Sequence, residues 1–160
     1  MAIINGRYKK VGKIGDGSYG DVFKCIDYFH NSKPRQLPQE IVDLIKAVEN
    51  GDVSTNTNEF EQSFINLFKE NDKFLNKDDK PEEPEEGKEN FVAIKKTKMR
   101  KIDYLKHSFN FSTYKEIVHM QEFDHENIVK LIDIFYKDKN IYVVMEYMVG
   151  DLYQVVHKDN

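Results

Sequence analysis

Three closely spaced glycines, Gly15, Gly17 and Gly20, separate two stretches that are rich in β-branched and aromatic residues. The stretches 8–14 and 21–28 predict the two strands of a hairpin, with the glycines in its turn. The spacing G-x-G-x-x-G-x-V also lets the backbone approach phosphate oxygens where a Cβ would collide. In a dinucleotide-binding fold a helix follows such glycines, whereas here a second strand follows. The sequence therefore predicts a phosphate-binding hairpin, and a hairpin with a merely flexible glycine tip is the alternative.

A lysine and a glutamate further along the chain are candidates for an ion pair. Lys95 lies in the run 91–99, FVAIKKTKM, which predicts a strand, and Glu116 lies in the segment 108–123, which has mostly helical spacing. A lysine in an apolar strand is costly unless its ammonium reaches water or pairs with an acid. We therefore expect a Lys95–Glu116 pair, and the alternative for each residue taken singly is an ordinary surface charge.

The segment 30–90 differs in character from the rest of the chain. Two prolines and several polar residues at 30–38 end the hairpin pattern, and two short amphipathic helices are predicted after them. Their apolar positions are Ile41, Leu44, Ile45 and Val48 in the first helix and Phe60, Phe64, Leu67 and Phe68 in the second. The stretch 76–90, with two prolines and almost no apolar residues, predicts a solvated tether. The helices could dock on the remaining domain or bind a partner, and we favour docking because the phenylalanines would otherwise be exposed.

The acidic excess of the chain is local. The sequence has 28 acidic and 24 basic residues, a net charge of −4, and residues 69–90 alone hold nine acidic and five basic ones. This balance disfavours nucleic acid as the main partner. No apolar run approaches the ~18 residues of a membrane span, and the N-terminus lacks the apolar run of a secretory signal. The single cysteine, Cys25, excludes a disulfide framework and a cysteine-rich zinc site. We expect a cytoplasmic or nuclear protein with no metal site in these residues.

Two further strands, 128–136 and 141–148, predict a second hairpin around the polar turn 137–140, and 151–157 predicts the start of a helix. Without the segment 30–90, the order is strand, strand, strand, helix, strand, strand. This order predicts an α+β fold, a five-stranded antiparallel sheet crossed by one helix.

These motifs together resemble the N-terminal lobe (N-lobe) of the eukaryotic protein kinases. KIGDGSYGDVFK is similar to the glycine-rich loop, VAIKK to the third-strand lysine motif, and STYKEI to helix C. HENIVKLIDIF resembles the fourth strand with its preceding loop, and IYVVMEYMVGDL the fifth strand and hinge. The resemblance covers 8–28 and 91–157 and is strongest to the cyclin-dependent and MAP kinase (CMGC) group. It implies an N-lobe formed by 1–29 and 91–160, with 30–90 inserted between the second and third strands.

The resemblance implies a site for ATP. The three glycines would close over the phosphates, Lys95 would hold the α- and β-phosphates, and Glu116 would hold Lys95. Ser18 and Tyr19 match positions of inhibitory phosphorylation, where a phosphate would repel those of ATP. Ile14, Val22 and Ala93 would sandwich the adenine ring, and Met145 would be the gatekeeper residue at the back of the pocket. The backbone groups of Glu146 and Met148 would bond the adenine edge, and Asp151 would reach the ribose. Met120 and Leu131 would continue an apolar spine from the helix.

The catalytic half of such an enzyme is absent from these 160 residues, which contain no H-R-D or D-F-G motif. The resemblance implies that the base and the Mg²⁺ ligands lie in a missing C-lobe. We expect a Ser/Thr kinase that phosphorylates protein hydroxyls in its full-length form, a polypeptide that is inactive alone, and a regulatory protein as a partner for helix C. The alternatives are a truncated or pseudokinase-like scaffold that acts through its insertion, and a dinucleotide binder, which the strand after Gly20 disfavours.

Overall fold

The computed structural model describes residues 3–17, 20–29, 36–37, 39–50, 66, 84–85, 87–97, 111–138 and 140–157. In these ranges the strands are β1 (Ile3–Ile4), β2 (Tyr8–Gly17), β3 (Gly20–Asp27), β4 (Phe91–Thr97), β5 (Leu131–Lys137) and β6 (Asn140–Glu146). The helices are α1 (Gln39–Glu49), α2 (Phe111–Glu122) and α3 (Leu152–His157).

All six strands form a single antiparallel sheet in the order β1-β2-β3-β4-β6-β5. The α+β prediction is confirmed, with six strands in place of the expected five. The additional strand, β1, has only two residues, too few to produce an alternating pattern. It pairs with β2 through a turn in which Asn5 and Gly6 both have positive φ angles, of 50° and 65°. Asn-Gly favours this type of turn, so the local signal for the hairpin is present in the sequence.

The sheet buries apolar side chains on both faces, because residues along a strand alternate between faces. One face forms what we call the helix-side core, which α2 covers. It consists of Leu37, Val42, Ile45, Tyr114, Ile117, Val118, Leu131, Ile134, Ile141 and Val143. The other face forms the sheet core, which consists of Tyr8, Phe23, Cys25, Val92, Ile94, Phe135, Tyr142 and Val144. Alternation in β4 therefore places Ala93 and Lys95 on the face opposite Val92 and Ile94.

The sheet is curled around the sheet core, because β2 and β5 contact each other although three strands separate them in the strand order. The Tyr8 hydroxyl donates a 2.7 Å hydrogen bond to Asp133 Oδ2, and the Tyr8 ring stacks on Phe135 with a centroid distance of 5.8 Å. Phe135 in turn stacks on Tyr142 at 4.8 Å. The aromatic stack gives the curled sheet a continuous apolar interior.

Two buried carboxylates at this closure are paired with Arg7. The Arg7 guanidinium donates from Nε and Nη2 to the two carboxylate oxygens of Asp27, both at 2.7 Å, and its Nη1 lies 3.7 Å from Asp133 Oδ2. Burial alone lowers the pKa of Arg7, but the hydrogen bond to Asp27 and the nearby negative charges outweigh it and raise the pKa. Burial and the charge of Asp133 raise the pKa of Tyr8. Arg7 therefore stays charged, and Tyr8 stays a donor.

The predicted insertion is described in part. Its first helix is confirmed as α1, whose Val42 and Ile45 join the helix-side core. The second predicted helix, with Phe60, Phe64, Leu67 and Phe68, lies outside the described residues. The tether is described only at 84–85 and 87–90, where the chain contains no helix or strand. Among the described residues, no helix is long and apolar enough to cross a membrane.

Cys25 is fully buried in the sheet core, where burial raises the pKa of its thiol to about 11. Because the thiolate is the reactive form, we expect native protein at pH 8 to react with iodoacetamide at least about tenfold more slowly than the urea-unfolded chain. Since the raised pKa favours the folded state below pH 9, stability should fall as the pH rises from 9 towards 11. Equal labelling of native and unfolded chains would contradict this placement.

Candidate functional site

Lys95 and Glu116 are joined across the space between β4 and α2. The Lys95 Nζ donates to Glu116 Oε1 at 2.6 Å and to Oε2 at 2.7 Å. In the sheet register Lys95 lies opposite Val143, a member of the helix-side core, so its side chain leaves β4 on the α2 side. The Lys95 side chain is 19% exposed and that of Glu116 41%. The Lys95 side chain is thus mostly withdrawn from solvent and held by one carboxylate, and part of it remains exposed.

The glycine turn lies directly beside this pair. β2 and β3 form the predicted hairpin, with Gly17 opposite Gly20 at its end, and β3 then places Val22 opposite Lys95. Gly20 has a φ of 151°, and a Cβ there would lie 2.1 Å from the Lys96 carbonyl oxygen. Gly20 is therefore required by close strand packing, in addition to the phosphate role that the sequence suggests. A Cβ on Gly15 would meet only the Val22 side chain, at an ordinary 3.4 Å.

The apolar residues predicted for the adenine pocket lie on neighbouring strands of the same sheet. Ala93 is buried and pairs in register with Met145, and Val22 is partly buried on β3. Ile14 lies at an irregularity of the β2–β3 register and is 49% exposed. The strand order β2-β3-β4-β6 therefore places these four residues on consecutive strands of the sheet, with Lys95 on β4 among them.

The predicted hinge follows β6. The Glu146 N–H donates to the Lys130 carbonyl oxygen at 3.1 Å, and its carboxylate accepts from the Lys130 N–H at 2.7 Å. Met148 is 50% exposed, and Asp151 is exposed just before α3. The strand end is thus fixed by two bonds to the segment that precedes β5, while Met148 and Asp151 after it are exposed to solvent.

The remaining predicted residues divide into two groups. Leu131 is buried and Met120 is partly buried, and both pack in the helix-side core. Ser18 and Tyr19 lie outside the described residues. No group of three or more histidine, cysteine, aspartate or glutamate side chains suited to a metal occurs among the described residues.

Sequence reasoning did not find the residues that connect α1 to α2. Gln121 donates through Nε2 to the Leu37 carbonyl oxygen at 2.9 Å and accepts from the Leu37 N–H at 2.8 Å. Lys46 forms an ion pair with Glu122, and Lys115 forms one with Glu49 at 2.8 Å. Each of these residues alone is an ordinary polar position on a helix, so only the fold brings them together.

The protein kinase domain family matches residues 84–160, nearly half of the chain, from just before β4 through α3. The antiparallel sheet and α2 are consistent with the N-lobe of a protein kinase domain. The predicted resemblance is confirmed by this match together with the antiparallel sheet and α2. The glycine turn precedes the matched residues, and the continuous β3–β4 register joins it to the same sheet.

Similar curated proteins are kinases of the CMGC group. Cyclin-dependent kinase 7 of Dictyostelium discoideum is 44% identical over 68 residues, 41% of this chain and 18% of that protein. The serine/threonine-protein kinase KIN28 of Saccharomyces cerevisiae is 37% identical over 68 residues, 42% of this chain and 21% of that protein. Mitogen-activated protein kinase 15 of Xenopus laevis is 45% identical over 51 residues, 30% of this chain and 9% of that protein. The chain thus spans about a fifth or less of these relatives.

Proposed function

We propose that this chain is the ATP-binding lobe of a Ser/Thr protein kinase, which transfers the γ-phosphoryl group of ATP to protein hydroxyls. The observation that carries the proposal is the Lys95–Glu116 ion pair beside a glycine turn. Protein kinases need a strand lysine held by a helix carboxylate to orient the nucleotide phosphates. The proposed domain organisation is an N-lobe of 1–29 and 91–160 with the insertion 30–90.

The site fits the anionic end of ATP. Lys95 supplies a positive charge that is partly withdrawn from water, where its attraction to phosphate oxygens is stronger than at a fully exposed position. Glu116 keeps the ammonium aimed away from β4, towards the α- and β-phosphates. Gly15 has no neighbour that demands a glycine, so its missing side chain leaves room for backbone N–H groups to reach phosphate oxygens.

The apolar strands fit the adenine ring. Ile14 and Val22 would cover one side of it and Ala93 the other, with Met145 at the back. The Glu146 N–H already donates to the Lys130 carbonyl oxygen. We therefore assign the Glu146 carbonyl oxygen as the acceptor for the adenine amino group. Met148 would supply the neighbouring backbone N–H, and Asp151 a carboxylate for the ribose hydroxyls.

The step of phosphoryl transfer requires groups beyond these 160 residues. Mg²⁺, when bound, neutralises phosphate charge, and we assign its ligands and the catalytic base to a C-lobe. The residues of this chain would bind and orient the nucleotide. Phosphorylation of Ser18 or Tyr19 would add negative charge beside the ATP phosphates and weaken their binding. We propose a cytoplasmic or nuclear location and a protein substrate.

Phosphotransfer from radiolabelled ATP tests this function. The full-length protein, with its C-lobe, should label serine or threonine of a generic protein substrate, while the purified 160-residue chain should label nothing above background. ATP titration of the same chain should still reveal nucleotide binding. Phosphotransfer by the 160 residues alone would contradict the assignment of the base to a C-lobe. ATP binding with no transfer by the full-length protein would favour the scaffold alternative.

A further inference from the structure

We propose that Leu37 together with α1, which we call the brace, is a built-in positioning element that holds α2 so that Glu116 meets Lys95. The inference deepens the proposed function, since it concerns the regulation of that nucleotide site. The brace derives from the insertion, which the kinase resemblance does not cover. In the structure, α2 contacts both α1 and β5.

The apolar part of the brace is continuous with the core of the lobe. Leu37, Val42 and Ile45 are each at most 3% exposed. They share the helix-side core with Ile117 and Val118 of α2, and that core extends to β5 and β6. Removing the brace would expose apolar surface on α2, so the packed arrangement is favoured over a free α1.

Polar contacts fix where α2 lies along the brace. The Gln121 side-chain amide bonds both backbone groups of Leu37, so a sliding movement of α2 would break two hydrogen bonds together. The ion pairs Lys46–Glu122 and Lys115–Glu49 have opposite polarity, with one cation on each helix. Because each pair joins one residue of α1 to one of α2, sliding α2 along α1 would separate both ion pairs. The contacts therefore specify one position of α2.

Glu116 lies between these contacts on the same helix. It directly follows Lys115, and Gln121 comes less than two turns later, so an α-helix transmits the restraint rigidly. A displacement of α2 by one turn, about 5 Å, would separate Glu116 from Lys95 beyond ion-pair distance. The brace thus favours the arrangement that the proposed nucleotide site requires.

The brace and α2 belong to one chain, which affects competition with other proteins. Intramolecular contact acts like an effective concentration of about millimolar. A regulatory protein that approaches this face of α2 would first have to displace α1. The nucleotide site of this N-lobe is therefore expected to assemble without such a partner.

Gln121→Ala is the central test variant, in the full 160-residue chain. We expect hydrogen exchange of the α2 amides to accelerate about tenfold, because two partly buried backbone groups of Leu37 lose their partners. Acetylation of Lys95, followed by mass spectrometry, should accelerate by a similar factor, because its ammonium is released in the same opening. Asp43→Asn is the matched control, since this exposed α1 residue contacts Gln39 of its own helix and should leave both rates unchanged.

A charge exchange separates positioning from general loss of structure. Lys46→Glu should accelerate both rates up to about fivefold, and Lys46→Glu combined with Glu122→Lys should restore them. The proposal would be overturned if Gln121→Ala left both the α2 hydrogen-exchange rate and the Lys95 acetylation rate unchanged. It would also be overturned if both rates in the charge-exchange double variant were as fast as in Lys46→Glu.

The brace and the proposed function fail in different ways. If the wild-type chain does not bind ATP, the proposed function is wrong, while the exchange and acetylation rates still test the positioning role of the brace. If the wild-type chain binds ATP and Gln121→Ala changes neither rate, only the positioning role of the brace is contradicted.

Discussion

Replacing Lys95 with methionine is expected to reduce phosphotransfer by the full-length protein by about 10²–10³-fold or more, to background. Removal of a single preorganised group that stabilises developing charge typically costs this much. The Lys95 Nζ is the cation held by Glu116 beside the glycine turn, at 2.6 and 2.7 Å from its carboxylate oxygens. Methionine has a similar length and retains the apolar contacts, so the fold should persist. The measurement is the initial rate of γ-phosphoryl transfer at saturating protein substrate.

Lys96→Met provides a matched control, since it removes the same charge from the next residue of β4. Its Nζ lies 6.0 Å from the centroid of the Tyr142 ring, a member of the sheet core, on the other face of the sheet. We expect this variant to keep activity within about threefold of the wild type, as for a cation–π contact of ~0.5 kcal/mol. Wild-type turnover in Lys95→Met would remove the basis of the assigned site.

Replacing Arg7 with methionine is expected to lower the free energy of unfolding by about 3–5 kcal/mol, because it leaves buried carboxylates without their cation. Asp27, whose side chain is 0% exposed, loses a bidentate ion pair in which both carboxylate oxygens lie 2.7 Å from Arg7 nitrogens. Asp133, also 0% exposed, loses a charge at 3.7 Å and keeps the Tyr8 hydroxyl. Urea unfolding followed by circular dichroism measures the change.

Two comparisons separate the buried pair from a general effect of lost charge. Lys9→Met removes a more exposed cation nearby, whose Nζ lies 6.0 Å from the Tyr28 ring centroid, and should cost no more than about 1 kcal/mol. Arg7→Met combined with Asp27→Asn should recover part of the loss, since the uncompensated charge at Asp27 is removed. Equal stability of Arg7→Met and wild type would show that these carboxylates are neutral or solvated in the native state.

The local parts of this fold could be predicted from the sequence. The hairpin around Gly17, the strand that contains Lys95 and the helix that contains Glu116 each arise from patterns within about a dozen residues, where turn chemistry and periodicity act. The Lys95–Glu116 pair could be anticipated because an ammonium in an apolar strand needs a partner. The kinase resemblance supplied the roles of the pair, which the patterns alone left open.

The long-range contacts could not be predicted in this way. Tyr8 and Asp133 are 125 positions apart and Leu37 and Gln121 are 84 apart, so no local pattern pairs them. The sequence did carry a partial signal: Asp27 ends one largely apolar strand and Asp133 lies within another, where a buried carboxylate requires a cation or a donor. It did not indicate which cation, because pairing depends on how the sheet curls.

ATP titration of the 160-residue chain, followed by isothermal calorimetry, is the most direct test of the central claim that Lys95, Glu116 and the glycine turn form a nucleotide site. The wild-type chain and Lys96→Met should bind with equal affinity, and Lys95→Met should bind at least about tenfold more weakly, as expected when a charge-assisted contact worth ~1.5–3 kcal/mol is lost. Absence of ATP binding by the wild-type chain, or equal affinity in all three proteins, would contradict the account.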